Sequence, residues 1–117
     1  QRLVRTICAH CKRPAKVTRA MLEESGLDPA LEHTHVFYEG KGCIECGGTG
    51  YKGRQAICEL LDLSDRIREM ILAARPTSEI KKAARDEGMR FLRECAVERV
   101  MLGVTTLREI NKVTFVE

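Results

Sequence analysis

Tryptophan is absent from this 117-residue chain, and Phe and Tyr together supply only 4% of it. Its core must therefore be aliphatic, built from Leu, Ile, Val, Met and Ala. Long apolar runs are missing too. Nothing approaches the roughly 18 consecutive apolar residues of a membrane-spanning helix, so no direct membrane span is expected. The N-terminus, Gln1 to Ile7, lacks the apolar stretch of a secretory leader. It also lacks an initiator Met and reads as though cut within an element, so the chain is expected to be a piece of something longer. Charge of one sign is not in excess. The formal net charge is +3, and four metal-bound thiolates would bring it to about +1. That excludes bulk attraction to a polyanion, and no nucleic-acid partner is expected. Lys12, Arg13, Lys16 and Arg19 cluster without an aromatic companion and read as a solvated face. Catalytic signatures are missing as well: no Gly-x-x-x-x-Gly-Lys-Ser/Thr phosphate loop, no His-Glu-x-x-His and no Gly-x-Ser-x-Gly. No catalytic residue and no nucleotide-binding residue is assigned.

What the chain does have is six cysteines, four of them in two Cys-x-x-Cys pairs, Cys8/Cys11 and Cys43/Cys46, with thirty-one residues between. Two intervening residues let one tight turn aim both sulfurs at a single ion about 2.3 Å away, and two such turns complete a tetrahedron. Gly47 suits the exit of the second pair, where positive φ lets amides point at thiolates; Lys12 stands at the matching place of the first. Zinc suits a closed four-sulfur set, and iron stays open as the ion of an electron carrier of the rubredoxin kind. Disulfides within Cys-x-x-Cys pairs are strained and belong to redox enzymes. A filled set leaves no position for water, so the ion is expected to be structural. His10, His33 and His35 are competing ligands, read here as loop and strand residues. Cys58 and Cys95 fall at apolar positions and are expected to be buried.

The chain divides near residue 62. Seven of its nine glycines precede that point. Residues 2–7 and 54–61 read as strands, the second with Ala56, Cys58 and Leu60 on its apolar face. They are expected to pair antiparallel, with the metal module (8–53) as an elaboration at the hairpin's end. Inside it, residues 17–25 suit a helix capped by Thr18 and stopped at Gly26, and 35–38 a short strand. Beyond the hairpin four helices are expected. Ser64 caps one with Ile67, Met70, Ile71 and Ala74 inward. Another begins near Thr77 or Ser78 with Ile80, Ala83 and Ala84 inward and ends at Gly88. A third spans 89–102, with Leu92, Cys95, Ala96, Val100 and Leu102 inward, and stops at Gly103. The last starts at Thr106, where Thr106 and Glu109 form a capping box. The predicted fold class is α+β: a four-cysteine zinc module at the end of a β-hairpin, followed by a small helical bundle.

Cys43 to Gly50 also resembles the Cys-x-x-Cys-x-Gly-x-Gly repeat of J-domain chaperones, which carry four copies where this chain has one. The match is read as convergent, since a tight exit from a metal knuckle needs glycines; the alternative function is a stand-alone zinc-ribbon or chaperone-like module binding nucleic acid or unfolded polypeptide. A broader likeness covers essentially the whole chain. Gly42 through Arg54, followed by Ile57-Cys58-Glu59-Leu60-Leu61, resembles the C-terminal part of the type II secretion and type IV pilus assembly ATPases. So do Gln1 to Arg5 running into Cys8, Gly88-Met89 with Leu92, and Gly103-Val104-Thr105-Thr106 with Glu109, Ile110 and Val113. The resemblance implies a cytoplasmic, hexameric motor with a RecA-like core, peripheral at the inner membrane. It implies as partners the other subunits and an inner-membrane platform protein. It implies structural Zn2+ on Cys8, Cys11, Cys43 and Cys46, with ATP and Mg2+ used by the parent chain only. Residues 1–7 and 54–62 would be core-sheet strands and 63–117 a C-terminal helical domain. Retraction motors of the superfamily lack these cysteines, so the module would be an insertion between two strands.

Overall fold

The computed structural model describes residues 1–115; the last two residues of the expected helical domain lie outside that range. The chain is α+β. β1 (Arg2–Ile7) is followed by β2 (Lys12–Ala15), α1 (Arg19–Glu24), α2 (Leu31–Thr34), β3 (Phe37–Gly40) and β4 (Tyr51–Ile57). Then come α3 (Asp65–Leu72), α4 (Thr77–Asp86), α5 (Leu92–Met101) and α6 (Leu107–Val113). β1 pairs antiparallel with β4, and β2 with β3, so one ribbon is nested at the end of the other. The expected hairpin and its elaboration are both present. β2 and α2 had no clear sequence signal. The short strand expected at 35–38 forms two residues later.

β4 differs from the predicted strand at both ends. Arg2, the first residue of β1, pairs with Ile57. Residues past Ile57 therefore have no partner, and the ladder stops there. Directly opposed residues share a face, which puts Val4 with Gln55 and Arg2 with Ile57. Val4 and Ile57 are buried, and Leu3 with its partner Ala56 is on the exposed side. The predicted apolar face of Ala56, Cys58 and Leu60 is thus the wrong one. Cys58 is exposed and Leu60 is 83% exposed, because both lie beyond the paired ladder. Between Arg5 and Ile7 the register shifts, with Ile7 opposite Tyr51, so β4 carries one extra residue.

The helix signals are mostly borne out. Thr18 caps α1, Ser64 caps α3 and Thr106 caps α6, each accepting an amide three residues on. Gly26, Gly88 and Gly103 follow helix ends at positive φ. Ile71 and Leu102 are exposed and Ala74 lies past its helix end at φ 52, contrary to expectation. The helices form two pairs and not one bundle. α3 and α4 enclose Ile67, Ala83 and Ala84, with Met70, Ile80 and Met89 alongside. α5 and α6 pack elsewhere, on the hairpin and the metal module. There Val4, Leu22, Phe37, Ile57, Ala96, Val100, Leu107 and Ile110 make one cluster. Leu22 comes from α1 and Phe37 from β3, so the module shares its core with the last two helices. Cys95 is half-buried against this cluster, near its expected role.

Candidate metal centre

Each cysteine pair sits where a strand ends. Cys8 follows β1 directly, and Cys11 precedes β2. Cys43 and Cys46 lie between β3 and β4. Because β1 runs against β4 and β2 against β3, both turns arrive at the same end of the nested ribbons. The four Sγ atoms lie within 4.8 Å of one another. Cys8 and Cys43 sulfurs are 3.8 Å apart, Cys11 and Cys46 3.9 Å, and Cys43 and Cys46 3.8 Å. Metal–thiolate bonds of about 2.3 Å place sulfurs about 3.8 Å apart at the corners of a tetrahedron. Disulfide sulfurs stand about 2.05 Å apart, and all six cysteines here are free. The donor set therefore fits one tetrahedral thiophilic ion. Cys8 is buried and the other three are half-buried.

Backbone amides point at two of the sulfurs. Cys46 Sγ accepts from Cys43 N–H and Gly50 N–H, both at 3.2 Å, and Cys11 Sγ from Gly42 N–H at 3.3 Å. Desolvation raises the Cys46 thiol, yet the amides overcome it and bring it down to about 6. Desolvation takes Cys11 the other way, to about 11, against the pull of the Gly42 amide. Gly47 has the expected positive φ of 66, but its own N–H donates to Ile44 O. The amides that serve sulfur are those of Gly42, Cys43 and Gly50, and not that of Gly47. None of the three histidines joins the cluster. His35 Nε2 lies 3.0 Å from Met101 O, with its ring edge against Phe37. Three of the four clustered basic residues are engaged within the chain. Lys12 stacks on Tyr38, an aromatic companion the sequence did not reveal, Arg13 pairs with Glu39 and Arg19 with Glu23.

The centre is tied to the helices through β1 and β4. Ile7 N–H donates to Val104 O at 2.9 Å, and Thr105 Oγ1 donates to Arg5 O at 2.7 Å. Tyr51, five residues after Cys46, brings its hydroxyl to 2.7 Å from Thr106 Oγ1. Glu109 does not reach back to close the predicted capping box. Its carboxylate instead accepts from Arg5 N at 3.1 Å and from Arg5 Nε and Nη2 at 2.9 Å, with Lys112 Nζ at 3.1 Å. The Arg5 guanidinium also lies over the Tyr51 ring, 4.2 Å from its centroid. Hydrogen bonding to Arg5, opposed by desolvation and helped by Lys112, holds the buried Glu109 carboxyl down at about 2. Four thiolates that fill a tetrahedron leave no coordination position for a substrate. An ion held by all four sulfurs would join residues 8–11 to residues 43–46.

The family model described as type II/IV secretion system protein matches residues 1–112. The type IV pilus assembly ATPase PilB of Thermus thermophilus is 47% identical over 110 residues, which is 94% of this chain and 12% of that protein. PilB of Myxococcus xanthus is 37% identical over 94% of this chain and 20% of its own length. The type II secretion system protein E of Pseudomonas aeruginosa is 37% identical over 97% of this chain and 22% of its own. The chain thus spans between about an eighth and a fifth of these relatives.

Proposed function

Because this chain belongs to the type II/IV secretion system protein family, we propose that it is the non-catalytic C-terminal part of a hexameric ATPase that powers type II secretion or type IV pilus assembly. In this reading Cys8, Cys11, Cys43 and Cys46 hold one structural zinc ion, the staple of a lobe carried between two core-sheet strands. ATP and Mg2+ are handled by parts of the motor outside this chain. The motor is cytoplasmic and meets the inner membrane through a platform protein. Its other partners are neighbouring subunits of the homohexamer. Among the described residues no helix is long and apolar enough to cross a membrane.

The observation that carries this reading is the four-sulfur cluster at the end of the β1–β4 ribbon, in a chain that aligns along nearly all its length with pilus assembly and secretion ATPases. The ion would supply a crosslink and no reaction step. The chain's own residues turn that crosslink into a placed surface. Cys8 N–H donates to Gly50 O, the Tyr51 hydroxyl meets α6, and Leu22 and Phe37 bury against α5 and α6. Binding free energy at such a site becomes folding free energy.

Residues 1–112, grafted in place of the equivalent segment of Thermus thermophilus PilB, are expected to support pilus extension with one zinc per subunit. The same graft carrying Cys43→Ser is expected to lose both. The isolated chain is expected to be colourless and to turn over no ATP. Steady ATP hydrolysis by the isolated chain, or the visible absorption of a ferric tetrathiolate, would overturn this reading.

A further inference from the structure

Resting on the reading that the four cysteines hold a metal, we infer that the two knuckles are not equivalent: Cys43 and Cys46 form a preformed half-site, clasped shut by paired glycines, onto which Cys8 and Cys11 close. The loop from Gly40 to Gly50 is in backbone contact with itself at two levels. A Cβ on Gly40 would lie 2.0 Å from Gly50 O, and one on Gly50 would lie 2.5 Å from Gly40 O. One step further in, a Cβ on Gly42 would lie 2.8 Å from Gly48 O. At the first level the two backbones touch with no room for any side chain on either. The loop is bonded internally as well. Gly48 N–H donates to Cys43 O at 2.9 Å, Gly47 N–H to Ile44 O at 3.2 Å, and Thr49 Oγ1 to Cys46 O at 2.9 Å. Two of its own amides, Cys43 and Gly50, point at Cys46 Sγ. Every one of these contacts is made within residues 40–50.

The first knuckle is placed by that loop. Cys8 N–H donates to Gly50 O, Lys41 N–H donates to Cys11 O at 3.1 Å, and Gly42 N–H donates to Cys11 Sγ. Gly50 and Gly42 thus serve both purposes: each sits in the clasp and each bonds the opposite knuckle. Preorganised ligands bind more tightly because less order is lost on binding. An ion should therefore be captured first by Cys43 and Cys46 and then be closed in by Cys8 and Cys11. Gly40, Gly42 and Gly50 act as positioning residues for the metal.

Cobalt(II) titration of the full chain, with metal removed beforehand, tests this, since thiolate-to-cobalt charge transfer reports how many sulfurs bind. Cys8→Ser/Cys11→Ser keeps only the second knuckle, and Cys43→Ser/Cys46→Ser only the first. The former is expected to bind cobalt through two thiolates roughly ten-fold or more tightly than the latter. Adding Gly40→Ala should remove that advantage. Gly47→Ala should keep most of it: its φ of +66 strains an alanine, but the added Cβ meets nothing within 4 Å and leaves the clasp contacts in place. If Gly40→Ala loses the far-ultraviolet helix signal, the same comparison with the milder Gly42→Ala decides. Equal half-sites, no binding by either while the unmodified chain binds, or an advantage that survives the clasp substitutions would overturn the inference. An unmodified chain that takes up no cobalt would overturn the metal reading itself.

Discussion

Replacing Glu109 with Gln removes a charge from the junction between β1 and α6 and leaves the shape nearly intact. The carboxylate is 7% exposed and accepts three bonds from Arg5 and one from Lys112. Its carboxyl titrates at about 2 in the fold against an ordinary 4.5. At roughly 1.4 kcal/mol per pH unit that difference corresponds to about 3 kcal/mol near neutral pH. Arg5 is 42% exposed, so water screens part of the attraction, and about 2 kcal/mol is the figure to expect. The sign follows from the lowered folded value. The stabilisation is fully present above about 4.5 and is lost as pH falls through about 2. Urea unfolding of the two proteins at pH 7 should therefore differ by about 2 kcal/mol, and the gap should close steadily in acid. Both proteins keep the same four cysteines, so acid release of a metal affects them alike. A gap below about 0.5 kcal/mol at neutral pH, or one that stays constant as the acid range is crossed, would refute the assignment of Glu109 as the charged latch.

Cys43→Ser, or a strong chelator, should abolish amide-exchange protection across residues 12–42. It should also weaken α5 and α6, because they share Leu22 and Phe37 with the module. α3 and α4, with their own cluster, should keep their protection, and loss there at the same chelator concentration would contradict two separate cores. Leu22→Ala removes a fully buried side chain and should cost about 2–4 kcal/mol in chemical unfolding. Gly103→Ala places a Cβ 3.0 Å from the Tyr38 ring and 3.1 Å from Lys12 Nζ at φ +76. It should lower stability by about 1–2 kcal/mol, read as a drop in melting temperature.

The four-cysteine cluster was legible because Cys-x-x-Cys spacing is a local signal, and the structure brings the same four sulfurs together. The helix caps were legible for the same reason: Thr18, Ser64 and Thr106 each act within their own turn. What was not legible is long-range. Glu109 stands three residues after Thr106, where a capping role is the local reading, and only the fold reveals Arg5, 104 residues away, as its partner. The buried face of β4 was misread because Ala56, Cys58 and Leu60 look more apolar than the alternate face of Gln55, Ile57 and Glu59. The decision lies with β1, which ends its pairing at Ile57. Grouping the helices into pairs likewise depends on which surfaces meet, and the four- and five-residue links between them do not record that. The family likeness rested on the glycine-rich stretch from Gly42 to Arg54. Several of those glycines turn out to be where backbones touch or curve around sulfur.

The bonds that run from β1 to the C-terminal helices give the ribbon a direction of growth. On the side of β1 away from β4, Arg5 N–H is taken by Glu109, Arg5 C=O by Thr105 and Ile7 N–H by Val104. A strand approaching that flank near the metal end finds its hydrogen-bonding positions already occupied. Residues 52–56 of β4 are exposed. An uncovered strand edge is a template for pairing. The ribbon is in this sense a zipper with one finished selvedge: the β1 flank beside the cysteines is closed, and the exposed edge lies along β4.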